Sequence, residues 1–230
     1  MKQVQVNKIK IYPFKSKAEL IDYVIDKHKI LIATNAEKIL KDDIRLQEII
    51  NNNIGYPDGV GAVMALKKKG YKAVKIPGVE LWHNIIERYY KTKSFYFIGA
   101  SQEVIEITIS KLKTEFPEID IKNYRNGFLK DGDIDKIKTD LLEKKPDVVF
   151  VAMGTPKQEF VMQELIETYP ALYQGLGGSF DVYSGKIKRA PKIFQVTGFE
   201  WLYRLLLQPT RIGRQLVYIK FMIKLSLGKL

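Results

Sequence analysis

Val148-Val149-Phe150-Val151-Ala152-Met153-Gly154-Thr155-Pro156-Lys157-Gln158-Glu159 is the stretch that decides the fold. An unbroken apolar run from Val148 to Met153 suits a strand buried on both faces. Gly154 permits a sharp turn, and Pro156 fits a first helical turn. Lys157-Gln158-Glu159 then opens a helical pattern that runs to Tyr169. Strand, glycine turn and helix in that order begin a parallel crossover unit.

The same order recurs on both sides. Ile30–Thr34, Ala73–Ile76, Phe95–Gly99, Ile119–Tyr124 and Leu172–Gly175 read as further strands. Gly59–Lys69, Val79–Tyr90, Ser101–Phe116, Ile134–Lys144 and Pro156–Tyr169 read as helices between them. Ala62, Ala65 and Leu66 share one helical face, as do Ile105, Ile109 and Leu112. This alternation predicts an α/β fold: a Rossmann-like, mostly parallel sheet with helices on both faces, joined by right-handed crossovers. Such sheets bind ligands beyond the carboxyl ends of their strands. Four junctions gather on that edge: Thr34-Asn35, Gly99-Ala100-Ser101, Gly154 to Glu159, and Gly175-Leu176-Gly177-Gly178-Ser179-Phe180-Asp181.

Composition narrows the chemistry. Of 230 residues, 46% are apolar, enough for one large domain with a substantial core. No cysteine is present, which excludes disulfides, thiolate metal sites and cysteine nucleophiles. His28 and His83 are the only imidazoles, so a histidine-rich metal centre is not expected. The formal charge of +12 calls for an anionic partner: nucleic acid, phospholipid or a phosphorylated small molecule. Residues 1–10 lack the apolar core of a signal peptide, and no uncharged run approaches the roughly 20 residues that span a bilayer. Synthesis and residence in the cytoplasm are expected.

Each junction has a functional reading and a plain one. Gly99-Ala100-Ser101 is either an ordinary loop with a serine cap or a phosphate cradle of free backbone N–H groups at a helix start. In Gly154 to Glu159, a buried turn explains the glycine and proline but not Lys-Gln-Glu, which favours a ligand contact. Neither is a Walker loop, and no dinucleotide fingerprint follows the first strand. Asp58 either caps the helix that begins at Gly59 or acts as a general base at a cleft edge. Asp131-Gly132-Asp133 has the form of a metal-binding Asp-x-Asp, but its place before a helix makes it a polar turn with an N-cap. Trp82 and His83 carry no sign of catalysis.

After Glu200 the chain has no acidic residue, while Arg204, Arg211, Arg214, Lys220, Lys224 and Lys229 follow among apolar side chains. From Thr210 a helical pattern puts Ile212, Leu216, Ile219 and Ile223 on one stripe, widened by Phe221, Met222 and Leu225. An interfacial helix is built this way, apolar on one side with basic flanks facing anionic lipid. The alternative is a helix docked on the domain or on another subunit.

Taken together, these motifs resemble the bacterial WecG/TagA/CpsF group, glycosyltransferase family 26. The matching pieces are Thr34-Asn35, Asp58-Gly59, Gly154 to Glu159, Gly175 to Asp181, Gly185 with Arg189-Ala190-Pro191, and Glu200-Trp201-Leu202-Tyr203-Arg204 with Pro209 and Arg211. The resemblance runs from about Ile30 to about Arg214. It departs at Pro57, where alanine is commoner, and at Ala152, where glycine is frequent. Residues 1–29 carry no matching motif.

The resemblance implies an inverting, metal-independent transferase. It would move a sugar from a UDP-sugar to a polyprenyl-diphosphate-linked sugar at the inner membrane face, in cell-wall or surface polysaccharide synthesis. Asp58 would be the base, with Thr34 and Asn35 beside it. Gly99, Ser101, Gly154, Pro156, Lys157, Gln158, Glu159, Gly177 and Asp181 would bind the donor. Arg189, Arg204, Arg211 and Arg214 would bind diphosphate and acceptor. No cofactor or metal is expected. The expected division is a transferase domain over 1–195 and a membrane-associating basic helical appendage over 196–230. Partners would be the UDP-sugar, the lipid-linked acceptor and an anionic membrane, without nucleic acid, and self-association is left open. Two rivals stand beside this reading: another nucleotide-cofactor enzyme on a similar sheet, and a basic nucleic-acid-binding module. The aromatic residues form no recognisable RNA-binding motif with the Lys and Arg residues, which ranks the second rival low.

Overall fold

The computed structural model describes residues 2–188 and 212–230, with 191 and 194. A hairpin of β1 (Val4–Val6) and β2 (Ile9–Ile11) comes first, followed by α1 (Lys17–Val24). Then come β3 (Ile30–Thr34), α2 (Ala36–Leu40), α3 (Ile44–Asn52), β4 (Ile54–Pro57), α4 (Val60–Lys68) and α5 (Gly78–Tyr89). The second half holds β5 (Ser94–Gly99), α6 (Gln102–Glu115), β6 (Asp120–Arg125), α7 (Asp133–Lys144), β7 (Val148–Ala152), α8 (Lys157–Thr168), β8 (Leu172–Gly175) and α9 (Ser179–Ser184). The last described helix is α10 (Ile212–Ser226).

Six strands form one sheet in the order β4-β3-β8-β7-β5-β6, and every neighbouring pair is parallel. The central strands β5, β7 and β8 are buried along their whole length, which is why their sequences are apolar without alternation. Two cores flank the sheet. One is filled from the hairpin, α2, α3, α4, α7, α8 and α10, and the other from α1, α5, α6 and α9. The chain leaves β5 toward α6 on the second face, but leaves β7 toward α8 on the first. Their carboxyl-terminal loops therefore leave in opposite directions, and this switch in winding direction is where the crevice of such a sheet forms.

Two strand readings need correction. Ala73–Ile76 is not a strand. It is held by isolated bonds, Val74 N–H to Phe14 O at 3.0 Å and Ile76 N–H to Pro57 O at 2.8 Å, and Pro77 then offers no donor. The strand lies instead at Ile54–Pro57, where Gly55 and Pro57 disguise it. Proline is tolerated there because β4 is an edge strand. The hairpin packs beside that edge, with Tyr12 N–H donating to Gly55 O at 2.8 Å. A Cβ on Gly55 would stand 2.8 Å from Lys10 O, so only glycine allows this approach.

The carboxyl-terminal helix is both docked and exposed. Phe221 and Leu225 are buried in the first core, against α2 and α4. Gly61, in the first turn of α4, makes the room: a Cβ there would meet the Phe221 ring at 3.0 Å and the Ala36 Cβ at 3.4 Å. The Lys68 ammonium donates to the Leu225 carbonyl and, at 2.9 Å, to that of Ser226, satisfying the helix end. Leu216, Ile219, Ile223 and Leu227 remain 54% to 62% exposed. The expected apolar stripe thus keeps Leu216, Ile219 and Ile223 and gains Leu227, while Phe221 and Leu225 belong to the core instead. The Ile212 side chain lies outside the described residues.

Removing the docking ring tests this packing. Phe221→Ala is expected to lower unfolding stability by about 3–5 kcal/mol, the usual loss for a buried aromatic. A denaturant midpoint unchanged from the parent would show that α10 does not rest there.

Candidate active site

All four sequence junctions do meet at one edge of the sheet, because β3, β5, β7 and β8 run in the same direction. At the β3 end, Thr34 is fully buried and its hydroxyl donates to Tyr56 O at 2.7 Å. Its carbonyl accepts from Asp58 N–H at 3.0 Å. Thr34 therefore ties the ends of β3 and β4 together and sets where Asp58 emerges. Asn35, half-buried, is the N-cap of α2, its Oδ1 accepting from Lys38 N–H at 3.0 Å. A Cβ on Gly59 would lie 3.5 Å from the Asn35 Cβ, so the two junctions are adjacent.

Asp58 does not cap the helix that follows it. The N-cap of α4 is Gly59, without a side-chain bond. Instead Asp58 Oδ1 accepts from Gly78 N–H at 2.7 Å, the first residue of α5. The carboxylate thus sits at a helix N-terminus, among free N–H groups and at the positive end of the helix dipole. The half-buried side chain is therefore held in one place at the carboxyl edge of the sheet, the fixed position a proton acceptor requires.

The crevice between β5 and β7 is shaped by glycine. Gly99 has φ 142°, and a Cβ there would stand 2.3 Å from Ala152 O. Ala100 N–H then donates to that same carbonyl at 3.0 Å. Ser101 caps α6 through Val104 N–H at 3.4 Å. Gly154 turns with φ 76° on the opposite side, and Pro156 is the N-cap of α8. Lys157 is exposed, and its ammonium reaches Gly127 O at 3.4 Å.

Gln158 and Glu159 point inward. Gln158 Oε1 accepts from Gly177 N–H at 2.8 Å, fastening the Gly175–Gly178 loop to the head of α8. Glu159 has no solvent exposure. Its Oε1 accepts from Lys38 Nζ at 2.7 Å, from Thr155 Oγ1 at 3.1 Å and from Gln158 Nε2 at 3.1 Å. In this arrangement Glu159 is a brace that joins α2 to α8, rather than a side chain presented to solvent. Asp181 sits in the first turn of α9, its Oδ2 3.6 Å from where a Gly178 Cβ would be. Arg189, Arg204 and Arg211 lie outside the described residues. Arg214 lies on α10, but its side chain is likewise outside them.

One loop escaped the sequence reading. After β6 the chain folds back over the crevice, with Gly127 N–H donating to Ala100 O at 2.9 Å. A Cβ on Gly127 would stand 3.0 Å from the Gly99 Cα and 3.1 Å from Met153 Cγ. The next residue, Phe128, is 72% exposed, a bare ring at the rim. Asn-Gly before an aromatic was the available signal, but only the fold shows which loop it overhangs. Asp131-Gly132-Asp133 is indeed a turn. The α7 N-cap, however, is Gly132, and Asp133 Oδ2 accepts from Arg125 at 2.8 Å and Lys130 N–H at 2.9 Å.

Against this geometry, residues 4–230 match the family model described as Glycosyl transferase WecG/TagA/CpsF family. The match covers nearly the whole chain, including residues 4–29, where no motif was visible. The chain belongs to that family and is a glycosyltransferase of cell-surface polysaccharide synthesis.

The brace between α2 and α8 gives a direct prediction. Lys38→Met leaves a buried carboxylate without its cation and is expected to destabilise the fold by about 3–5 kcal/mol. The double variant Lys38→Met/Glu159→Leu is expected to recover most of that loss. Equal urea midpoints for parent and Lys38→Met would count against a brace.

Proposed function

We propose that this glycosyltransferase is an inverting enzyme that takes its sugar from a UDP-sugar and gives it to a polyprenyl-diphosphate-linked sugar. One observation carries the reading: Asp58 is fixed by the α5 N-terminus at the sheet edge that also gathers the glycine turns of β5, β7 and β8. Inversion needs one carboxylate on the attacking side, to take the acceptor hydroxyl's proton as that oxygen attacks the anomeric carbon. The bond from that carbon to the diphosphate breaks in the same step, and UDP leaves with the electron pair.

The departing charge then needs stabilising. In this reading the loops at Gly99–Ser101 and Gly154–Lys157 offer backbone N–H groups and the Lys157 ammonium. Arg189, Arg204, Arg211 and Arg214 supply further cations from the carboxyl-terminal segment. The Phe128 ring at the crevice rim suits stacking against the donor's base. The scheme draws on no metal ion: Asp133, the obvious candidate ligand, already binds Arg125 and a backbone N–H. Among the described residues no three His, Asp or Glu side chains group as ligands.

The acceptor's lipid places the reaction at a membrane. Among the described residues no helix is long and apolar enough to cross one. The exposed row Leu216, Ile219, Ile223 and Leu227 supports peripheral attachment to the inner face, with Lys220 and Lys224 beside it for anionic lipid. A second subunit on that row is the competing outcome.

A screen of UDP-N-acetylmannosamine, UDP-glucose, UDP-galactose and UDP-glucuronic acid, with a short-chain polyprenyl-diphosphate-linked sugar, is expected to show UDP release with one donor. Asp58→Asn should lower kcat at least about a hundredfold, the usual range for a lost general base, and EDTA should leave the rate unchanged. Stabilisation by NAD or S-adenosylmethionine, with no turnover of any UDP-sugar, would favour the rival cofactor enzyme. Separately, Leu216→Ser/Ile219→Ser/Ile223→Ser should abolish sedimentation with vesicles containing phosphatidylglycerol. Undiminished sedimentation would remove the interfacial role.

A further inference from the structure

Beneath Asp58 the fold keeps polar atoms that the reaction outlined above leaves unused. Tyr56, two residues earlier on β4, is fully buried, and its hydroxyl has no hydrogen-bond partner. Gln174 on β8 is equally buried, and neither its Oε1 nor its Nε2 is paired. The Gln174 amide lies close enough to the Tyr56 hydroxyl to act on it as a hydrogen-bond donor does, but out of good hydrogen-bond geometry. Burial first, and then the Asp58 charge, push the Tyr56 phenol well above its usual range, so it keeps its proton at any working pH.

Gly78 shows how near this group stands to the carboxylate. A Cβ on Gly78 would be 2.9 Å from the Tyr56 hydroxyl and 3.8 Å from Asp58 Oδ1. Hydroxyl and carboxylate therefore border the same space at the head of α5, left open because residue 78 has no side chain.

A phenol and an amide shut in together, with no well-formed hydrogen bond to either, are unusual. Buried polar groups are nearly always bonded, and each one left unpaired destabilises the fold. Phenylalanine and methionine would fill the same volume without that penalty. Such a defect is expected where function holds it in place. The chemistry of the pair suits the position. As Asp58 passes from carboxylate to carboxylic acid, it changes from pure acceptor to donor. A phenol and a primary amide each offer both a donor and an acceptor, so together they match either state.

We propose that Tyr56 and Gln174 are positioning residues that orient the Asp58 carboxylate from behind during glycosyl transfer. This rests on Asp58 being the base. Gly78 N–H fixes one carboxylate oxygen, and the Tyr56 hydroxyl, backed by Gln174, borders the same space, ready to bond the group as its charge changes during transfer.

The test compares Tyr56→Phe, Gln174→Met, their double variant and Asp58→Asn. The assay is UDP release from whichever UDP-sugar of the screen turns over, together with thermal unfolding. Each single variant is expected to lose kcat by about tenfold or more while donor and acceptor KM stay within about twofold. Tm should hold or rise, because buried unpaired polar atoms have been removed. The double variant should be no slower than the slower single, as for residues acting as one unit. Both singles with parental kcat, or a kcat loss that comes with a fall in Tm, would overturn the proposal. Should Asp58→Asn be inactive while both variants are fully active, the base stands and the positioning pair falls. Should Asp58→Asn stay active, the base fails and the pair fails with it.

Discussion

A lysine ammonium and a glutamate carboxylate, 2.7 Å apart and both shut away from water, join the two ends of this site. Lys38 belongs to α2, which starts at the Thr34-Asn35 junction, and Glu159 to α8, which starts at Gly154. An ion pair so deeply buried contributes little net stability, because desolvating both charges offsets most of their attraction. What it contributes is register. Either charge without the other would be strongly unfavourable, so α2 and α8 are held in the arrangement that keeps the two together. Through Gln158 the same cluster reaches Gly177, and three of the four junctions are thereby fixed relative to one another.

The remaining geometry depends on side chains that are missing. Gly99 lets the β5 end pass against Ala152, Gly175 lets Gln158 lie against β8, and Gly61 admits Phe221 between α2 and α4. Phe221 touches the first turns of the two helices that follow Asn35 and Asp58. The helix that carries the exposed apolar row is therefore packed directly behind the proposed catalytic junctions.

Much of this was legible in the chain. Apolar runs at Ile30–Thr34 and Leu172–Gly175 coincide with β3 and β8 residue for residue, since strands buried on both faces leave no other reading. Gly154 to Glu159 announced a strand-to-helix turn, and Asp58-Gly59 stands at the end of a strand at the same edge. Ile54–Pro57 was hidden because Gly and Pro argue against a strand locally, and only an edge position with its neighbouring hairpin overrides that. The short α2 and α3 were equally hidden, since their stability comes from packing under α8 and α10 rather than from propensity.

Sequence by itself determined the fold class, the four junctions, the family and the basic, apolar carboxyl end, because periodicity, glycine placement and charge are local properties. Tertiary structure alone decided how the site residues are employed. Asp58 caps α5, twenty residues on, rather than its own helix, and Glu159 turns inward to Lys38. Phe221 leaves the exposed apolar stripe for the core. Each of these outcomes depends on which distant backbone stands opposite a side chain. That is set by strand order and helix packing, which no window of neighbouring residues contains.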